Sequence, residues 1–241
     1  MCTVTYIPPV NGNSFILTSN RDESIYRQTL PPARHRGNGS ALWFPQDIRS
    51  GGSWIAANET GRLCCLLNGA FVPHEKMEHH TLSRGKILKE MTVVPTVVHG
   101  YFKNRDLTNV EPFTIVTLEH ENGVITHLSE CIWDGSGKFY REPDWKQPYI
   151  WSSVTLYGEE HRDIRRMWFQ KFFKEHHSHI SPDKVYSFHT GTHTNNTALN
   201  VIMQREGGLK TVSITQVTTQ DGKMLMRYSD LIENKNHEIE I

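Results

Sequence analysis

Residues 1–23 read MCTVTYIPPVNGNSFILTSNRDE, and this stretch decides the fold that we expect for the chain. Thr3–Ile7 and Phe15–Ser19 alternate in polarity and are rich in β-branched and aromatic side chains, which predicts two strands. Asn11-Gly12-Asn13 between them is a hairpin turn signal. An antiparallel hairpin returns its second strand to the start of its first, so the corner Asn20-Arg21-Asp22-Glu23 should lie beside Cys2.

Cys2 is a candidate nucleophile because of its position. Methionine aminopeptidases remove Met1 when the second residue is small, and the mature chain would then carry a thiol and a free α-amine on one residue. An α-amine has a pKa near ~7.7–8.0, so a good fraction is neutral at cellular pH and can accept the thiol proton as a general base. The alternative is an incidental cysteine at the terminus.

The polar corner after the second predicted strand offers groups that would support such a nucleophile. Asp22 would hold the α-amine through a charge-assisted hydrogen bond, and Arg21 would lower the pKa of the Cys2 thiol. The alternative for these residues is a solvated turn.

The rest of the chain predicts an α+β fold. We expect an irregular loop from Asn20 to Ser40, and the remaining strands at Ser53–Asn58, Leu63–Asn68, Phe113–Glu119, Gly123–Trp133, Lys138–Glu142, Pro148–Ser153, Leu199–Gln204, Leu209–Thr218 and Lys223–Tyr228. Helices are predicted at Leu82–Met91, at Pro95–Lys103, at Glu159–Glu175 with Ile164, Met167, Trp168, Phe172 and Phe173 inward, and after the N-cap Ser181. This order favours two antiparallel sheets between helical layers, in one domain covering residues 1–241.

Composition excludes several classes of function. The 26 basic and 26 acidic residues give a formal net charge of zero, so no basic field exists to attract nucleic acid. This balance is compatible with a small anionic ligand held by a local arginine. No apolar run approaches the ~18–20 residues of a transmembrane helix, and the start of the chain lacks the pattern of a secretory signal. We therefore expect a cytoplasmic protein.

Cysteine and histidine patterns give no firm metal or disulfide site. The four cysteines form no CxxC pair, and Cys64 and Cys65 adjoin in an apolar run, which predicts buried thiols. Two histidine clusters could ligate a metal or heme, but neither has a carboxylate or cysteine at familiar ligand spacing; they are His74, His79 and His80, and His176, His177 and His179. We expect no metal and no cofactor.

Three motifs together resemble one family. Met1-Cys2-Thr3, the Asn-Arg-Asp-Glu corner and the run GGSWIAANETGR at 51–62 are similar to the NRDE-motif, or transport and Golgi organisation, family. That family is similar in turn to the choloylglycine hydrolases, penicillin V acylases and acyl-CoA:aminopenicillanate acyltransferases. These are N-terminal-nucleophile (Ntn) enzymes with an αββα sandwich, so the resemblance implies that four-layer fold.

The resemblance also implies roles for five residues. Cys2 matches the nucleophile, and Asp22 with Arg21 matches the pair that supports it, although in choloylglycine hydrolases the arginine lies three residues before the aspartate. Asn68 matches an asparagine that donates to the oxyanion. Ser153 stands where relatives carry an asparagine, and the late active-site arginine of choloylglycine hydrolases has no clear counterpart near residues 190–197.

The resemblance implies two classes of function. The first is an N-terminal-cysteine hydrolase or acyltransferase acting on a small-molecule linear amide. The alternative is a non-catalytic carrier of a hydrophobic cargo such as heme or acyl-CoA. The sequence indicates neither the substrate nor the oligomeric state.

Overall fold

Thirteen strands and four α-helices make up the part of the chain described by the computed structural model, which is residues 3–10, 14–36, 39–122, 124–220 and 222–241. The strands are β1 (Thr3–Ile7), β2 (Ile16–Ser24), β3 (Thr29–Arg36), β4 (Ala41–Asp47), β5 (Ile55–Asn58), β6 (Arg62–Asn68), β7 (Phe113–Glu121), β8 (Val124–Trp133), β9 (Lys138–Arg141), β10 (Tyr149–Ser152), β11 (Leu209–Gln220), β12 (Lys223–Asp230) and β13 (Lys235–Glu240). The helices are α1 (Arg84–Val93), α2 (Val98–Asn104), α3 (Glu159–His176) and α4 (Pro182–Thr190). Cys2 and the predicted turn Asn11-Gly12-Asn13 lie outside the described residues.

The strands form two antiparallel sheets. The first sheet has the order β10-β1-β2-β11-β12-β13, and the second has the order β3-β4-β5-β6-β7-β8-β9. Strands β1 and β2 pair antiparallel, as the alternation predicts, with Thr3 opposite Asn20. Thr3 also pairs with Ser152 on its other side. The N-terminal strand is therefore an inner strand held by two neighbours.

Three apolar clusters separate the layers. Val4, Leu17 and Tyr228 of the first sheet pack between the sheets against residues of the second sheet such as Leu63 and Val116. The outer face of the first sheet packs on α3 and α4, and that of the second sheet on α1 and α2. The predicted α+β architecture, an αββα sandwich of two antiparallel sheets, is confirmed.

The predicted loop from Asn20 to Ser40 is wrong. Strand β2 continues to Ser24, because its polar residues are buried by pairing with β11. Strand β3 then occupies Thr29–Arg36 at the edge of the second sheet, where one side of the strand needs no partner and polar residues are tolerated. The register shifts between Leu30 and Ala33, which accommodates the two prolines there.

One further difference comes from buried polar contacts. The strand predicted at Leu199–Gln204 is absent apart from one bridge between Gln204 and Lys210, and the carbonyl groups of Leu199 and Asn200 accept hydrogen bonds from Arg165 instead.

In α3, Met167 is exposed rather than inward. Strands β4 and β13 were not predicted. No helix among the described residues is long and apolar enough to cross a bilayer.

Candidate active site at the start of the N-terminal strand

The start of β1 is the meeting point of three strands. Thr3, which follows Cys2 in the sequence, lies between Asn20 of β2 and Ser152 of β10. Side chains then alternate along β1. Thr3 and Thr5 contact the helical layer, through Arg165 and His189, whereas Val4 belongs to the cluster between the sheets.

Asp22 is a buried carboxylate, only 3% exposed. Its Oδ2 accepts a hydrogen bond of 2.8 Å from the Tyr157 hydroxyl, and its Oδ1 accepts one of 2.5 Å from Thr211 Oγ1. A carboxylate has about four lone-pair sites, so two hydroxyl donors do not exhaust its capacity. The geometry is that of a fixed acceptor rather than a solvated turn.

Arg21 contacts the second sheet, whereas its neighbour Asp22 contacts Tyr157. The Arg21 Nη2 atom lies 2.5 Å from Asp47 Oδ2, and its guanidinium stacks 4.5 Å from the centroid of the Trp54 ring. Burial lowers the pKa of Arg21, and the charge of Asp47 opposes that shift. Arg21 thereby links the end of β2 to the second sheet, and the contacts of the two neighbouring residues do not converge.

Asn68 ends β6 and is partly buried. Its backbone carbonyl accepts a 2.8 Å hydrogen bond from Ser153 Oγ, so the structure brings these two predicted site residues together. Within the described part of the chain, the side-chain amide of Asn68 makes no hydrogen bond, and the residue lines two clefts. Ser153 is buried and its hydroxyl is engaged, so its geometry is that of a support for the Asn68 backbone.

Arg165 is a buried polar residue that the sequence reasoning missed. It is fully buried on α3, its guanidinium lies 3.7 Å from the centroid of the Tyr157 ring, and it donates to Thr3 Oγ1 and to the Asn200 carbonyl. The available signal was its spacing four residues before Phe169, which places both on the inner face of the helix. Arg165 ties the residue next to Cys2 to the helical layer.

His189 is the second buried group that the sequence did not reveal. Its Nδ1 donates to Asn20 Oδ1 and its Nε2 accepts from Thr5 Oγ1, each at 2.7 Å. The amide nitrogen of Asn20 donates to the Val201 carbonyl. The amide is therefore oriented with its oxygen towards the histidine. Burial, reinforced by the charge of Arg165, lowers the pKa of His189 to about 3, so the ring is neutral at physiological pH. Asn20 therefore joins β2 to α4.

Two clefts meet at Asn68. The first, of about 260 Å³, lies between the ends of β6 and β10, and its lining includes Asn68, Trp151, Ser152, Arg141, Arg162 and Arg166. The second, of about 300 Å³, lies between β2 and the start of α1, and its lining includes Asn68, Arg21, Trp54, Asp47, Arg84 and Glu111. In the described ranges, no three His, Cys, Asp or Glu side chains are arranged to hold a metal ion.

Solved structures place this fold in a known class. A conjugated bile acid hydrolase from Clostridium perfringens has a TM-score of 0.63 at 12% identity, covering 99% of this chain and 92% of its own. An N-acylethanolamine-hydrolyzing acid amidase ortholog from Caenorhabditis elegans has a TM-score of 0.60 at 11% identity, covering 89% and 92%. Penicillin V acylase from Agrobacterium tumefaciens has a TM-score of 0.58 at 10% identity, covering 100% and 86%. The chain thus has the fold of the Ntn hydrolases.

Sequence comparison then gives the family. The model of the Transport and Golgi organisation 2 family matches residues 1–217, and the chain belongs to that family. No curated protein sequence matches the chain. The resemblance inferred from the Asn-Arg-Asp-Glu corner and its companion motifs is confirmed.

Proposed function

We propose that this protein is an N-terminal-cysteine hydrolase or acyltransferase that acts on a linear amide of a small molecule. The observation that carries the proposal is one chain of contacts. Thr3, bonded to Cys2, pairs with Ser152, and the next residue, Ser153, hydrogen-bonds the backbone of Asn68. These contacts connect the proposed nucleophile to the side-chain amide of Asn68, which has no partner among the described residues.

The proposed reaction begins with the Cys2 thiol. The thiol attacks the substrate carbonyl while its proton passes to the α-amine of the same residue, directly or through one water. The carbonyl oxygen becomes an oxyanion, to which the Asn68 amide donates; such a donor is typically worth ~2.7–4 kcal/mol. Collapse expels the amine with a proton and leaves a thioester on Cys2. Water then releases the acid, or a second amine takes the acyl group.

The buried polar residues have supporting roles in this proposal. Asp22 fixes the position of the α-amine through a charge-assisted hydrogen bond, and Tyr157 and Thr211 hold its carboxylate in place. Arg21 anchors the corner to Asp47, and its positive charge favours the thiolate. Ser153 positions Asn68 through the backbone. The named activities of the bile acid hydrolase and of the acid amidase support a linear amide as substrate.

Kinetics on a panel of N-acyl amides tests the proposal. Cys2→Ala should abolish turnover while substrate still binds, and Asn68→Ala should lower kcat by about 100-fold with little effect on affinity. Asn236→Ala, which changes an exposed asparagine on β13, is the matched control and should behave as wild type. A non-catalytic carrier of heme or acyl-CoA would instead show binding without turnover and no dependence on Asn68. A cytoplasmic location stays a prediction, which cell fractionation would test.

A further inference from the structure

The first cleft beside Asn68 carries an excess of positive charge. Three arginines line it, Arg141, Arg162 and Arg166, against a single carboxylate, that of Glu130. One oxygen of Glu130 already accepts a 2.8 Å hydrogen bond from the Trp151 indole. The cleft therefore combines a cationic rim with an indole wall.

Two of these arginines have no ionic partner in the described part of the chain. Arg166 pairs with Asp163, but neither Arg141 nor Arg162 makes an ion pair there, although Arg141 lies opposite Glu130 in the β8–β9 ladder. Among the residues that the structure describes, the buried Nε atom of Arg162 has no hydrogen-bond partner. A buried donor that lacks a partner carries an uncompensated desolvation cost, so its retention calls for an explanation.

The second cleft at Asn68 differs in this respect. Each of its arginines already contacts a carboxylate, because Arg21 and Arg27 pair with Asp47, and Arg84 lies 3.5 Å from Glu111. An incoming anion would have to compete with these carboxylates. In the first cleft, Arg141 and Arg162 form no ion pair with any described carboxylate, and this cleft is therefore the better anion site.

We propose that the first cleft binds a carboxylate or phosphate group of the substrate, with Arg162 and Arg141 as its ligands. Guanidinium groups donate paired hydrogen bonds that match both anions. Apolar atoms next to the anion would pack on Trp151 and on Phe71. The centroid of the Phe71 ring lies 5.7 Å from the guanidinium carbon of Arg141. The inference rests on the proposed function. It narrows the substrate to an anionic amide, whose scissile carbonyl lies at Asn68.

Calorimetric binding to the Cys2→Ala protein tests the inference without any need for turnover. The probes are N-myristoylglycine, N-myristoyl phosphoethanolamine and N-myristoylethanolamine, which share one acyl amide but carry a carboxylate, a phosphate and a neutral head. At least one anionic probe should bind about tenfold more tightly than the neutral one, because a hydrogen bond to a charged group is stronger than one to a neutral group. The tighter of the two anions identifies the group.

Substitutions assign the preference to the cleft. Arg162→Gln should remove it and leave the affinity for the neutral probe unchanged, and Arg141→Gln, at an exposed position, provides the same readout if the first variant misfolds. Arg36→Gln, on the exposed edge strand β3, is the charge-matched control and should keep the preference. Equal affinity for all three probes, no binding of any, or a preference that survives both cleft variants would overturn the inference. Selective anion binding by a protein that turns over no amide would overturn the proposed function alone.

Discussion

Acid should destabilise this protein through His189. In the folded state the pKa of His189 is lowered from 6.5 to about 3, first by burial and then by the charges of Arg165 and His193. An unfolded chain binds a proton at this residue below pH 6.5, whereas the folded chain does so only near pH 3. The stability that depends on neutral His189 is therefore complete above pH 6.5 and is lost progressively as pH falls from 6.5 towards 3.

The size of the effect follows from the same shift. One pH unit corresponds to about 1.36 kcal/mol per proton, so at pH 5 the folded state should have lost about 2 kcal/mol through this residue. Urea unfolding at pH 7 and pH 5 measures the loss in wild type and in His189→Gln, which cannot take up the proton. Gln lowers stability at both pH values, but the drop between them should be smaller by about 2 kcal/mol. An equal drop in the two proteins would refute the account of a neutral buried histidine.

Three further predictions concern other parts of the molecule. Gly61 has a φ of +90°, and a methyl group there would overlap the carbonyl oxygen of His120. Gly61→Ala should therefore lower the free energy of unfolding in urea by about 2 kcal/mol or more. The control is Gly158→Ala, in open space with a φ of −60°, which should change it little. Slow alkylation by iodoacetamide is expected in the folded protein for the buried thiols with raised pKa, which are Cys64, Cys65 and Cys131; fast labelling of all three without denaturant would contradict their burial. Ser153→Ala should cost about 1 kcal/mol of stability and lower kcat by loosening Asn68, and an unchanged kcat would remove Ser153 from the proposed site.

The local pattern of the chain predicted most of the regular elements. The alternation in Thr3–Ile7 and the N-cap Ser181, which accepts a hydrogen bond from the Lys184 amide, are short-range signals that survive in the structure. Cys64 and Cys65 are buried, as their apolar neighbours indicated. These predictions succeed because propensity and packing act in the same direction.

The local sequence pattern did not predict the edge strands of the sheets or the buried polar network. Strand β3 is polar because it lies at the edge of its sheet, and its own residues do not predict that it pairs with β4. The contacts Thr3–Arg165 and Asn20–His189 join residues that are 162 and 169 positions apart, so only the folded topology brings them together. Arginine is rarely buried and histidine is buried only in part of its occurrences, so the sequence alone favours a surface position for Arg165 and does not single out His189.

The same topology gives the site residues their surroundings. Local pattern allows a solvated turn at Asp22, yet its carboxylate is enclosed because β11 pairs beside it and Tyr157 covers it. Arg21 is adjacent to Asp22 in sequence but contacts the other sheet, since neighbouring strand residues face opposite sides. The motif thus contains both residues, and strand alternation gives their side chains different contacts.

Detection of an acyl-enzyme tests most directly whether Cys2 is the N-terminal nucleophile. A reactive acyl donor such as a β-lactone is added to the protein purified from its native host, and the intact mass and the N-terminal peptide are then measured. We expect a peptide that begins at Cys2 and carries one acyl group on the thiol, with no such adduct in Cys2→Ala. A protein that turns over amides while its terminal peptide retains Met1 and stays unmodified would contradict the N-terminal nucleophile.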